Sequence, residues 1–150
     1  MMIEATLDSS VFVSAFVKGE EHRPTASVII KRMFDGKLRV VTSVIVPVEV
    51  CGAIARRASP EAARKAMTQI RKWGDLKLIN YSELTEDRSR ESAELALSLR
   101  LKGMDAIVIQ VSKEMKSPLV TFDQEMAKRA RTVTTVLEPA ALTSELNPDQ

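Results

Sequence analysis

Cysteine, histidine, tryptophan and tyrosine occur once each in this chain, and each scarcity closes off some chemistry. A lone Cys51 has no partner for an internal disulfide, which fits a reducing cytoplasm. It lies in an apolar run, where a buried and inert thiol is the expected state. Zinc centres assembled from imidazole and thiolate lack their donors here. Aromatic residues make up only 4% of the chain, too few for an evident stacking platform of the kind single-strand binders use. No apolar run approaches the roughly 18 residues of a membrane span, and the opening MMIEATLDSS has no basic stretch ahead of an apolar one. Neither a membrane partner nor a signal peptide is expected, and the chain reads as soluble and cytoplasmic. The formal net charge is only +2, which by itself announces no polyanionic partner. The charge is uneven, however: residues 138–150 hold Glu138, Glu145 and Asp149 but no Lys or Arg, so the rest is mildly basic.

What the chain does have is enough apolar content, 45% over 150 residues, to bury one core, so one main domain is expected. Ile3 to Leu7 reads as a strand closing on Asp8, followed by a helix from Ser9 to about Lys18 and a polar loop through Pro24. Thr25 reads as the cap of a helix to about Phe34. A strand over 38–41 follows, then a helix capped by Ser43 from Val44 to about Ala58. Ser59-Pro60-Glu61 is a strong helix start, and that helix should close at Gly74. A strand over 76–79 precedes an amphipathic helix capped by Thr85 and ended by Gly103. A helix over 104–115, a strand over 118–121, a helix opened by Asp123 and a strand over 133–136 complete the body. Short apolar strands alternating with helices imply an α/β fold with a mostly parallel sheet covered on both faces. Residues 138–150 read as an acidic C-terminal tail, a short helix or loose. His22, in the polar loop, is expected at the surface rather than in catalysis, and Trp73 as a packing anchor.

Four acids stand out against this frame. Asp8 and Asp123 each follow a strand and precede a helix, and Asp105 sits near a helix start, so each could serve simply as a cap or favour a positive helix end. Glu49 is harder to explain that way. It lies in a helix apolar on nearly every side, where an ionised carboxylate is costly without compensation. Arg56 and Arg57 on the same helix could supply that compensation as a structural ion pair; a metal shared with other acids is the sharper alternative. Carboxylates gathered without a cation repel, and a divalent ion removes the conflict. An all-oxygen donor set suits Mg²⁺ or Mn²⁺. Ions held in this way typically position phosphates and activate water, which points to phosphoester cleavage. Arg56 and Arg57 are also candidates for holding a phosphate backbone, with Lys113, Lys128, Arg129 and Arg131 flanking the later acids.

The order of these segments resembles a known family. Leu7-Asp8-Ser9-Ser10-Val11-Phe12 resembles the opening motif of PIN domains, and Pro47-Val48-Glu49-Val50 resembles their helical glutamate. Gly103-Met104-Asp105-Ala106, followed by Val120-Thr121-Phe122-Asp123, is similar to their closing pair of acids. Each motif is weak alone; the order and spacing of all of them, over about residues 3 to 136, make the match specific. The resemblance implies a PIN-like three-layer α/β/α sandwich over residues 1–137 and a Mg²⁺- or Mn²⁺-dependent endoribonuclease. It implies further a VapC-like toxin, typically a homodimer silenced by a small antitoxin. By position it assigns Asp8, Glu49, Asp105 and Asp123 to the metal, with Ser10 and Thr121 supporting the site. One departure is Lys116-Ser117, where the family often places a Gly before the strand. Two rival readings are a non-catalytic PIN-like module that binds RNA or protein, and a receiver-like signalling domain. The receiver reading is disfavoured by the two serines that follow Asp8 and by the lack of a Lys after the last strand.

Overall fold

The computed structural model describes residues 2–146. Five strands, β1 (Ile3–Leu7), β2 (Leu38–Ser43), β3 (Ile79–Ser82), β4 (Leu119–Val120) and β5 (Val136–Leu137), form one sheet in the order β3-β2-β1-β4-β5. Every pairing is parallel: Ala5 lies opposite Val40, Val40 opposite Ile79, Leu7 opposite Val120, and Val120 opposite Leu137. Parallel neighbours need crossover connections, and helices supply them. They are α1 (Ser9–Phe16) and α2 (Arg23–Phe34), then α3 (Val46–Arg57) and α4 (Pro60–Asp75), then α5 (Glu86–Leu99) and α6 (Gly103–Met115), and finally α7 (Gln124–Ala130). The chain steps outward from β1 to β3 and then returns past β1 to β4. Right-handed crossovers therefore put the first two helix pairs on one face and α5, α6 and α7 on the other. This is the three-layer α/β/α sandwich with a parallel sheet that the sequence implied.

Because the sheet is covered on both faces, its inner strands read as apolar runs rather than alternations. Ala5, Leu7, Val40 and Leu119 are buried, and Phe12, Ile29, Met33, Ile54, Ile109 and Met126 fill the space between sheet and helices. Trp73 is the packing anchor expected of it, stacked on Phe16 at 5.5 Å and meeting Phe34 edge-on at 5.6 Å. A last helix, α8 (Pro139–Leu146), lays the fully buried Leu142 onto the body beside α2. The remainder of the expected tail, from residue 147, lies outside the described residues. Among the described residues no helix is long and apolar enough to cross a membrane.

Several element ends differ from the sequence expectation, each for a local reason. Helix α2 begins at Arg23 rather than after Thr25, with His22 at the cap position and Pro24 in the first turn, where its missing N–H costs nothing. Ser43 stays in β2 and accepts a bond from Ile45 N at 3.2 Å, while Val44 N still donates to Ser82 O across the sheet, so α3 starts later, at Val46. Gly74 does not close α4. It lies within the helix because a Cβ there would come within 2.9 Å of the Tyr81 ring. Lys77, at φ 61°, then reverses the chain and delays β3 to Ile79. Gly103 opens α6 instead of ending α5, which is stopped by Arg100 in the left-handed region at φ 53°. The position where a Gly was expected before β4 is taken by Lys116 at φ 51°. Its turn is clamped by Ser117 N to Ser112 O at 3.0 Å and Ser112 Oγ to Ser117 O at 2.5 Å.

Candidate active site

The strand order reverses between β1 and β4, because the connection leaving β1 runs to one side of the sheet and the one leaving β4 runs to the other. Such a switch point leaves a crevice beyond the carboxyl ends of the two strands. Asp8 emerges there from β1, and Asp123 emerges from β4 by way of Thr121 and Phe122. Both acids also cap the helices that follow: Asp8 Oδ1 accepts from Ser10 N at 3.2 Å, and Asp123 Oδ1 from Met126 N at 3.0 Å. Capping and cleft placement are thus compatible for these two residues. Glu49 enters from the first turn of α3 and Asp105 from the first turn of α6. All four acids line one cleft of about 510 Å³, together with Ser9, Ser10, Arg56, Arg57 and Lys102.

Hydroxyl groups hold this wall in place. Asp8 is 5% exposed, and both its carboxylate oxygens are engaged: Oδ1 by Ser10 Oγ at 2.5 Å and Oδ2 by Thr121 Oγ1 at 2.9 Å. The same two hydroxyls accept from the next strand end, Ser10 Oγ from Phe122 N and Thr121 Oγ1 from Asp123 N, each at 3.0 Å. They therefore lock the end of β1 to the end of β4. Glu49 Oε1 accepts a short hydrogen bond from Ser9 Oγ. The ion pair once considered for Glu49 does not form: Arg57 reaches Glu20 at 3.0 Å instead, and among the described residues none of the four acids is ion-paired.

The electrostatic consequence is that burial, and after it the neighbouring like charges, disfavours the ionised form of two of these acids. Burial pushes the Asp8 carboxyl up to about 7, against the bonds from Ser10 and Thr121, with the charges of Asp105 and Glu49 adding to the rise. Asp105 is raised to about 6, again chiefly by burial, then by Asp123 and Glu49, while Lys102 pulls the other way. Two groups poised near neutrality beside two more acids form a donor set that a divalent cation suits: all oxygen, anionic and uncompensated. Among the described residues, however, no three His, Cys, Asp or Glu side chains are drawn together closely enough to hold an ion as they stand. Side-chain rotation would have to complete the set.

Some cleft residues carried no signal in the sequence. Lys102 and Glu20 were not singled out in the sequence, yet both line the cleft. Ser9 was legible only as a hydroxyl next to Asp8. His22 is at the surface as expected, its side chain 44% exposed, but that surface is the cleft wall. It is half-buried on the cleft wall, its ring stacked on Phe122 with centroids 4.3 Å apart and planes 5° from parallel. Of the outlying cations, Arg129 bonds Leu99 O and Arg100 O at 2.9 and 2.7 Å, and Arg131 pairs with Glu138 at 2.7 Å, both away from the cleft lining.

Comparison with solved structures gives the same fold. VapC20 of Mycobacterium tuberculosis, a sarcin-ricin loop cleaving toxin, superposes with a TM-score of 0.68 at 21% identity, over 83% of this chain and 93% of its own. PAE2754 of Pyrobaculum aerophilum gives 0.67 at 18% identity, over 99% of this chain and 100% of its own. VapBC2 of Rickettsia felis, bound to a DNA fragment from its promoter, gives 0.65 at 12% identity, over 91% and 98%. No curated protein matches the chain. The family model of the PIN domain matches residues 5–132. Because that match runs from within β1 to beyond the end of α7, and so takes in every element that contributes to the cleft, this chain belongs to the PIN-domain family.

Proposed function

We propose that this chain is a Mg²⁺- or Mn²⁺-dependent endoribonuclease, the toxin of a toxin–antitoxin pair. The observation that carries the reading is four carboxylates, delivered by four separate elements to one cleft, with no cationic side chain among the described residues ion-paired to them. Asp8, Glu49, Asp105 and Asp123 would hold the ion, which when bound supplies an activated water and neutralises charge on the scissile phosphate. Ser10 and Thr121 fix the direction of both Asp8 oxygens, so this ligand is pre-oriented before any ion arrives. Arg56 and Arg57, which line the same cleft, would hold the RNA backbone, Arg57 by exchanging its pairing with Glu20 for a phosphate. A cognate antitoxin protein as partner is supported by neighbours of the same fold described as a toxin–antitoxin complex from Klebsiella pneumoniae and a member of the VapBC family of toxin–antitoxin systems; a homodimeric state and a cytoplasmic location complete the proposal.

The test is incubation of total RNA with the purified chain, with and without Mn²⁺, beside an Asp8→Ala control, followed by sequencing of the fragment ends. Metal-dependent fragments with defined ends, absent from the control, are expected. RNA left intact by a folded, metal-loaded parent would defeat the proposal. A second reading, a PIN-like module that binds RNA or protein without cutting, is favoured by the acids not yet converging as a ligand set. It predicts no cleavage in either arm of that same experiment.

A further inference from the structure

The aromatic residues are few, but two rings meet at the carboxylate cleft. His22, at the start of α2, and Phe122, between Thr121 and Asp123, lie flat against each other, with centroids 4.3 Å apart and planes 5° from parallel. Both line the cleft. Phe122 is fixed in place: its N–H donates to Ser10 Oγ, which also holds Asp8, and the next residue is Asp123. His22 covers one face of Phe122, lines the cleft and keeps 44% of its side chain exposed, with Nε2 4.0 Å from Glu21 Oε2. No side-chain cap bond ties the imidazole to α2. Core packing does not account for this arrangement, because the outer ring is only half-buried.

We propose that His22, stacked on Phe122, is the seat for one unstacked nucleobase of a single-stranded RNA, which places the neighbouring phosphate over the carboxylate cleft. This rests on the ribonuclease reading above. Single-stranded RNA is recognised largely by splaying bases onto flat side chains, and every base offers a π face to such a platform. Phe122 supplies rigidity and His22 supplies the accessible surface. Ser10 couples the platform to Asp8 through a two-bond path, Phe122 N to Ser10 Oγ and Ser10 Oγ to Asp8 Oδ1. His22 is here a positioning residue, since it reaches the base and not the reacting phosphate.

The test is a binding cycle between protein and RNA. A labelled single-stranded RNA decamer and ten versions of it, each with one base removed to leave an abasic ribose, are titrated against the parent, His22→Ala and His22→Phe. The titrations are run in EDTA and in Ca²⁺. In the parent, one abasic position should weaken binding by about 5- to 100-fold, the range of a single base–aromatic stack. His22→Ala should bind the intact RNA that much more weakly and lose nothing further at that position, while His22→Phe should keep the parental pattern. Thermal melts of the variants confirm folding. Equal abasic penalties in the parent and His22→Ala overturn the platform, as does His22→Phe behaving like His22→Ala, or a parent that binds no RNA in either buffer. Cleavage of the decamer in Mn²⁺ is scored separately. Coupling at one base without cleavage defeats the nuclease reading alone, and cleavage without coupling defeats the platform alone.

Discussion

Asp8 carries a conflict that no other residue of the cleft shows as strongly. It is buried, it is bonded by two hydroxyls that favour its charge, and it still stands at about 7 because burial and two neighbouring acids outweigh those bonds. The folded chain therefore keeps a proton on Asp8 that the unfolded chain has lost, from the ordinary 3.8 up to about 7. Stability without metal must fall as pH rises across that window and level off above it, at about 1.4 kcal/mol per pH unit for a fully coupled group. Asp105 adds a smaller fall of the same sign up to about 6. Asp8→Asn removes the charge and keeps the shape, and the hydroxyls of Ser10 and Thr121 can rotate to match the amide. In EDTA at pH 8 its melting temperature should exceed that of the parent by several degrees, at about 2–4 °C per kcal/mol, and at pH 4 the two should coincide. Equal melting temperatures at pH 8 would show that the carboxyl is not strained.

Turns between elements hold strain of a different kind. The α6–β4 turn needs a left-handed residue, and Lys116 provides one at φ 51° at a cost that glycine avoids. The substitution Lys116→Gly should raise stability by about 1 kcal/mol, read from denaturant midpoints at unchanged slope. No gain would mean that the Ser112–Ser117 clamp already offsets the strain. The same turn shows where sequence reading succeeds and fails at this scale. Ser59 and Thr85 were legible as caps because a short hydroxyl before a helix bonds a backbone N–H only two or three residues on, and both do so, to Ala62 N at 3.0 Å and Arg88 N at 3.2 Å. Gly74 and Gly103 were misjudged as helix ends. What decides Gly74 is the Tyr81 ring arriving from the next strand, a contact no local pattern contains.

Across the whole molecule, the strand order brings four distant acids to one cleft, where an ion bound as proposed would relieve the penalty that burial and neighbouring charge place on Asp8. A cation that binds the ionised carboxylates removes the penalty described for Asp8, so it competes with protons for the same groups. The rise in melting temperature on adding Mn²⁺ should be largest above pH 7, small at pH 5, and absent at any pH in Asp8→Ala. A gain that persists unchanged at pH 5 or in Asp8→Ala would place the bound ion outside the cleft.

The amino-acid pattern alone determined the α/β alternation and most helix starts, because these depend on contacts within a few residues; it marked Glu49 and Asp105 by their apolar surroundings, while Asp8 and Asp123 read equally well as caps until the PIN-domain resemblance joined the four. Only the tertiary structure decided that Arg57 turns to Glu20 rather than Glu49, and that His22 lies flat on Phe122, a hundred residues away. The physical reason is the same in each case. A partner brought in by a β-sheet crossover leaves no trace in the local sequence, so the energy of such contacts becomes visible only once the chain has closed on itself.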